Sequence, residues 1–214
     1  MDEKLTALAE HLAAALPGVV QGYEIRHGQL AVRLPRDGLL EALSFLRDDP
    51  QYRFTVLCDI CGVDYPDRPE RFEVVYNLLS MSRNLRIRLT VETDEENPVP
   101  SATGLFSVAG WWEREAWDLF GIYFSDHPDL RRILTDYGFD GHPLRKDFPL
   151  TGYVELRYDE DQKRVVYEPV KLKQEFRSFD FLSPWEGMDR LLPGDEKAST
   201  PGEIGSAEQG SKAP

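Results

Sequence analysis

No stretch of the 214 residues approaches the roughly 20 apolar side chains that span a bilayer, which excludes direct membrane insertion as a helix. The N-terminus, Met1-Asp2-Glu3-Lys4, lacks the basic start, apolar core and small-residue cleavage site of an export signal. Residence in the cytoplasm is therefore expected. Cysteine is scarce: Cys58 and Cys61 are the only two, and in that compartment they are expected as reduced thiols. Basic residues are also in short supply. Against 38 Asp and Glu stand 25 Lys and Arg, giving a net charge of −13 and a pI near 4.8. Such a chain repels phosphate backbones and anionic lipid, so nucleic acid is not an expected partner and any membrane attachment runs through another protein. A phosphate-cradling glycine loop is missing too. Gly138-Phe139-Asp140-Gly141 neither follows a strand nor opens a helix, so NADH is not expected to bind this chain. There is no internal repeat. What remains is enough apolar sequence, 41%, for one sizeable core or a domain with an arm.

Leu5, Leu8, Leu12 and Leu16 recur at helical spacing and predict a helix over residues 3–16, ended by Pro17-Gly18. Residues 19–26 and 30–34 read as a hairpin around His27-Gly28-Gln29. Asp37 is placed to cap a second helix carrying Leu39, Leu40, Leu43 and Leu46. Residues 54–63 form an apolar run, expected as a strand covered on both faces. Residues 71–81 and 85–91 predict a hairpin across Ser82-Arg83-Asn84. Its second strand alternates Leu85, Ile87, Leu89 and Val91 with Arg86, Arg88 and Thr90, the pattern of a strand with one wet face. After an acidic loop over 94–100, residues 108–120 predict a helix closed by Gly121. Residues 124–152 are rich in turns, and 153–158 and 164–167 suggest two short strands. The expected class is α+β: a mainly antiparallel sheet with helices packed on it, then a turn-rich segment and an extended arm. The domain is expected over 1–168, the arm over 169–192 and a disordered tail over 193–214, the last being mostly Gly, Pro, Ser, Ala and charge.

Cys58-Asp59-Ile60-Cys61 invites a metal or redox reading. An iron–sulfur cluster or structural zinc takes four ligands, and no second cysteine pair exists, though His127 and His142 are available. On a regular strand positions 58 and 61 face opposite ways, which favours structural thiols. His127 and His142 each precede proline, and no nucleophile motif accompanies them, so backbone-bonding roles in turns are expected. On the helix at 108–120, Trp112, Ala116, Leu119 and Phe120 share one arc, while Arg114, Glu115 and Asp118 share the opposite one. The bland reading of that second arc is a solvated face with an Arg114–Asp118 pair. Trp117 beside it, and the Arg, Asp and aromatic residues that continue to Phe148, favour an interface with another protein.

Residues 113–152 read EREAWDLFGIYFSDHPDLRRILTDYGFDGHPLRKDFPLTG. This stretch resembles the signature of the 30-kilodalton subunit family of respiratory complex I. Glu113, Arg114, Glu115, Asp118, His127, Arg131, Ile133 and Leu134 occupy the places of that pattern, and Asp136-Tyr137-Gly138-Phe139 and residues 141–150 continue it. Val63-Asp64-Tyr65-Pro66 fits the family's N-terminal domain, and residues 174–186 resemble its C-terminal part. The cysteine pair and the last 22 residues lie outside the pattern. The resemblance implies a peripheral-arm subunit of the ion-pumping NADH:quinone oxidoreductase, without catalysis of its own. It implies no cofactor in this chain; FMN and the Fe–S clusters belong to partner subunits. It also implies packing against the 49-kilodalton-type quinone-site subunit and other peripheral-arm subunits, on the cytoplasmic or matrix face of the inner membrane. Two other readings stand beside it: the homologous subunit of a membrane-bound hydrogenase-type complex, and an independent thiol or metal protein built on Cys58 and Cys61.

On the subunit reading the expected partner interface comprises Glu113, Arg114, Glu115, Trp117, Asp118, His127, Arg131, Arg132, Asp136, Tyr137, His142, Arg145, Lys146 and Asp147. Its turns would present Arg131, Arg132, Arg145 and Lys146 to carboxylates or carbonyls of a partner. The arm adds Phe176, Phe179 and Trp185 as anchors.

Overall fold

Alternating inward and outward side chains organise the domain. In a computed structural model that describes residues 2–174, β1 (Gly22–Arg26), β2 (Gln29–Leu34), β3 (Val56–Asp64), β4 (Phe72–Ser80) and β5 (Leu85–Thr93) form one sheet in the order β1-β2-β5-β4-β3. The expected arm beyond 174, with Phe176, Phe179 and Trp185, and the expected tail lie outside the described residues. Three of the four pairings are antiparallel, and β2–β5 is parallel. The sheet is thus mixed and mainly antiparallel.

One face gathers Leu30, Val32 and Leu34 of β2, Ile87, Leu89 and Val91 of β5, Phe72, Val74, Tyr76 and Leu78 of β4, and Leu57 and Ile60 of β3. Against it lie α1 (Asp2–Ala15), α2 (Leu39–Asp48) and α3 (Ala109–Phe120), which complete a single apolar cluster. Leu8 and Leu12 of α1 and Leu39, Leu43 and Leu46 of α2 are fully buried in it. Each such side chain contributes about 1.5–3 kcal/mol from leaving water. The opposite face is polar: Asn77 donates to Asp59 at 2.6 Å and Arg88 donates to Asn77 at 3.1 Å. Residues 2–170 belong to one compact unit.

The first hairpin turn has two residues. Arg26 pairs with Gln29, so His27 and Gly28 alone connect β1 to β2, with φ of 52° and 72°. Two successive positive φ values suit the twist of a tight hairpin. Three expectations need correction. Asp37 does not cap α2: it sits in a 3-10 turn, Arg36–Gly38, and the cap position is Gly38, with no side-chain bond. β3 is not covered on both faces: Leu57 and Ile60 are buried, whereas Val56, Cys58 and Cys61 are exposed. Its pairing with β4 slips at a bulge between Leu57 and Asp59, so Cys58 is the extra residue. A bulge resets the alternation, and the opposite-face argument for the two cysteines fails: both are exposed and both border the groove between β3 and α3.

Beyond the sheet, β6 (Val99–Pro100) and β7 (Phe124–Ser125) form a short parallel pair on either side of α3 in sequence. β8 (Val154–Asp159) and β9 (Arg164–Pro169) form a separate antiparallel hairpin.

Candidate functional site

α3 ends where the chain takes a left-handed turn at Gly121, φ 78°, whose N–H donates to Trp117 O. Only a residue without Cβ suits this place: a Cβ there would lie 2.4 Å from an Arg145 guanidinium nitrogen and 2.7 Å from the His142 ring. The helix is packed on two sides. Gly62 of β3 admits Phe120 and Ile122 against the sheet. The turn-rich segment 126–147 covers the other side and buries Arg114 and Asp118. The second arc of α3 is therefore not a solvated face, and Arg114 does not pair with Asp118. Arg114 donates instead to the carbonyls of Arg131 at 3.0 Å and Arg132 at 2.8 Å.

Asp118 is the acceptor around which the loop folds. Its carboxylate receives the backbone N–H groups of Ile133 (3.0 Å), Leu134 (2.7 Å) and Thr135 (2.9 Å), the Thr135 hydroxyl, and the Arg132 guanidinium at 2.8 Å. Burial alone would push this carboxyl up, but those donors outweigh it and hold the group far below the usual carboxylate range. Arg132 also donates to Gly141 O at 3.0 Å and lies over the Trp117 and Phe139 rings. His142 Nδ1 bonds to the carbonyl of Asp118 at 2.9 Å; burial lowers the pKa of this imidazole.

Glu113 points the other way, into the domain. It accepts from the Ser101 hydroxyl and the Ala102 N–H, each at 2.7 Å. Fully buried, with two donors and no cation bonded to it among the described residues, the carboxyl is pushed up to about 7 by desolvation. The His127 side chain is 2% exposed, with Nε2 3.9 Å from Glu113. Its Nδ1 accepts the Asp129 N–H at 3.0 Å, so the neutral ring carries its proton on Nε2 and donates to Gly110 O at 3.1 Å. From the sheet below, the Tyr76 hydroxyl is fully buried without a hydrogen-bond partner among the described residues, and Glu113 reinforces the burial that raises its pKa.

A third node joins the loop to the sheet. Arg71 binds Asp64 through two nitrogens at 2.7 and 2.9 Å and Asp147 through two at 3.1 and 2.9 Å. Asp64, whose side chain is fully buried, also accepts the Lys146 N–H at 2.7 Å; Arg71 first, then this amide, lowers its pKa. Arg145 donates to Phe120 O at 2.6 Å and to Glu95 at 2.9 Å, and lies over Phe72.

The fold thus brings together Glu113, Arg114, Trp117, Asp118, His127, Arg132, His142, Arg145 and Asp147 in bonds or ring contacts within the chain. Glu115 is half-buried in the β3–α3 groove, a cleft of about 370 Å³ that it shares with Cys58, Cys61, Trp112 and Leu144. Burial and the nearby acids Asp59 and Glu115 raise the Cys61 thiol. Arg131, Asp136, Tyr137 and Lys146 are exposed. Asp64, Arg71, Glu95 and Ser101 complete the nodes and were not among the expected site residues. The signal for Asp64 and Arg71 was weak: opposite charges flanking a strand-to-strand turn. Among the described residues no three His, Cys, Asp or Glu side chains gather as metal ligands, and no helix is long and apolar enough to cross a membrane.

This architecture is that of an α+β subunit domain seen in a respiratory membrane assembly. It matches a chain in the structure of the membrane-bound sulfane sulfur reductase, an archaeal respiratory membrane complex, with a TM-score of 0.61 over 76% of this chain and 99% of that one. Identity is 24%, so the likeness speaks to the fold alone. The chain belongs to the respiratory-chain NADH dehydrogenase 30-kilodalton subunit family, whose model matches residues 32–154. It is 62% identical over 93% of its length to the NADH-quinone oxidoreductase C subunit of Xanthobacter autotrophicus, covering 95% of that protein. It is 63% identical to the protein of that name from Maricaulis maris over 92% of this chain and 99% of that one. For Paramagnetospirillum magneticum the figures are 62%, 93% and 100%.

Proposed function

We propose that this chain is a cofactor-free, non-catalytic subunit in the peripheral arm of a proton-pumping NADH:quinone oxidoreductase. It packs against the 49-kilodalton-type quinone-site subunit on the cytoplasmic face of the membrane. FMN and the Fe–S clusters reside in neighbouring subunits; the thiols of Cys58 and Cys61 are two of the four that a cluster takes. Family membership supports the complex, and one structural observation supports the scaffold role. Arg114, Asp118, Arg132 and His142 of the signature spend their bonds on shaping the 126–147 segment. That leaves Trp111, Tyr123, Leu134, Tyr137 and Leu144 exposed around it as anchors for a partner. Arg131 and Lys146, also exposed, are placed to add charge-assisted bonds. The contribution to electron transfer is indirect: packed subunits keep a cluster and a quinone at fixed separation.

Arg145→Ala tests this. It removes the bonds to Phe120 O and Glu95 and loosens the segment. The yield of assembled complex from detergent-solubilised membranes should fall, while NADH:quinone turnover per assembled complex stays near wild type. Normal assembly with lost turnover would overturn the scaffold reading. Stoichiometric iron or zinc in the purified chain would favour the thiol or metal protein instead.

A further inference from the structure

The β8–β9 hairpin is amphipathic the wrong way round for an isolated domain. Its register pairs Val154 with Pro169, Leu156 with Tyr167 and Tyr158 with Val165. Directly opposed residues share a face, so these six form one apolar surface. Glu155, Arg157, Asp159, Arg164, Val166 and Glu168 form the other. All six residues of the apolar face are exposed, whereas four of the six on the charged face are half-buried. Val154, Leu156, Tyr158, Val165 and Tyr167 are 51–63% exposed. A contiguous apolar surface of this kind marks an interaction site when it occurs on a soluble chain, and a two-stranded sheet alone is marginal in water.

Charge decides what covers it. At the hairpin turn the exposed Glu160 and Asp161 outnumber Lys163, which bonds to Glu160 at 3.0 Å, and Asp136 lies beside the Tyr167 hydroxyl at 3.5 Å. The margin is acidic on a chain of net charge −13. A second copy would bring like charges together, and an anionic lipid surface is repelled for the same reason. We propose that the outward face of β8–β9 is a docking surface for an apolar patch rimmed by Lys and Arg on a neighbouring subunit of the complex. This rests on the subunit reading above and adds a contact outside the signature segment. Hydrophobic burial supplies the affinity, and the acidic margin supplies orientation and a salt-sensitive association rate.

The test uses the full chain in cells that assemble the complex. Leu156→Asp with Val165→Asp should lower the fraction of the chain found in the detergent-solubilised complex by about ten-fold or more. The purified variant should keep the wild-type urea midpoint, because the face is not part of the chain's own core. Asp136→Lys with Asp161→Lys should also weaken incorporation. A photo-crosslinker replacing Tyr158 should join this chain, in the purified complex, to a different subunit. Equal incorporation of the Asp variant overturns the docking surface, as does a lowered urea midpoint or a crosslink to a second copy. Wild-type chain missing from the complex would instead sink the subunit reading itself.

Discussion

Two carboxyls on one helix, five residues apart, are driven in opposite directions by what surrounds them. Asp118 is saturated with donors, so its ionised form is the stable one. Its folded pKa lies below the unfolded value, so its contribution is present above about pH 4 and is lost as pH falls through the folded value. Asp118→Ala strands three backbone amides and the Arg132 guanidinium, and should cost about 3–5 kcal/mol in urea unfolding at neutral pH. A cost under 1 kcal/mol would show that the loop is held by other contacts. Glu113 behaves inversely. Its folded pKa is raised to about 7, so the stability linked to its protonation is fully present below about pH 4.3 and is lost as pH rises through 7. The whole effect is on the order of 3 kcal/mol. Glu113→Gln stays neutral, so its urea midpoint should vary less between pH 5 and pH 8 than that of the wild type. Parallel curves for the two proteins would refute the assignment.

At the scale of elements, Gly121 and Gly138 offer a matched pair. Both have positive φ, 78° and 83°, but a Cβ at 121 meets Arg145 and His142, whereas at 138 it meets nothing within 4 Å. Gly138→Ala should therefore cost only the backbone term, about 1 kcal/mol. Gly121→Ala should cost more, because the helix end and the Arg145 contacts must both shift. Equal urea midpoints for the two variants would contradict the packing described here. These elements also show what was legible in sequence. The end of α3 was readable because a glycine follows a periodic run, and the hairpins because their turn residues sit between alternating strands. The parallel pairing of β2 with β5 was not, since it joins residues 57 apart through no local signal. The bulge at Cys58 was invisible for the same reason: nothing in the residue types marks it, yet it reverses the facing of every side chain before it.

For the molecule as a whole, the charged residues of the signature were read as a surface because a helix projection allows for one packing partner. α3 has two. A turn-rich segment without regular structure must find acceptors for its own amides, and Asp118 is where residues 133–135 find them. That requirement, which the projection leaves out, is what buries Asp118. Arg71 then ties this segment to the sheet across 76 residues of sequence. Arg71→Ala leaves the buried Asp64 without its cation and should destabilise the chain by about 3–5 kcal/mol. Amide hydrogen exchange should quicken at Lys146, whose N–H is bonded to that carboxylate, before it quickens in the central strands. Unchanged protection there would mean that the segment is anchored elsewhere.

The parallel seam between β2 and β5 also governs the order of events on the ribosome. The first fifty residues, with α1, α2 and the β1–β2 hairpin, emerge carrying an apolar surface whose neighbour strand has not yet been made. Loop closure over that distance must be completed before the contact stabilises anything. Until about residue 91 has left the exit tunnel, the nascent chain presents an unfinished sheet, and during that interval it is most exposed to aggregation and most dependent on chaperones.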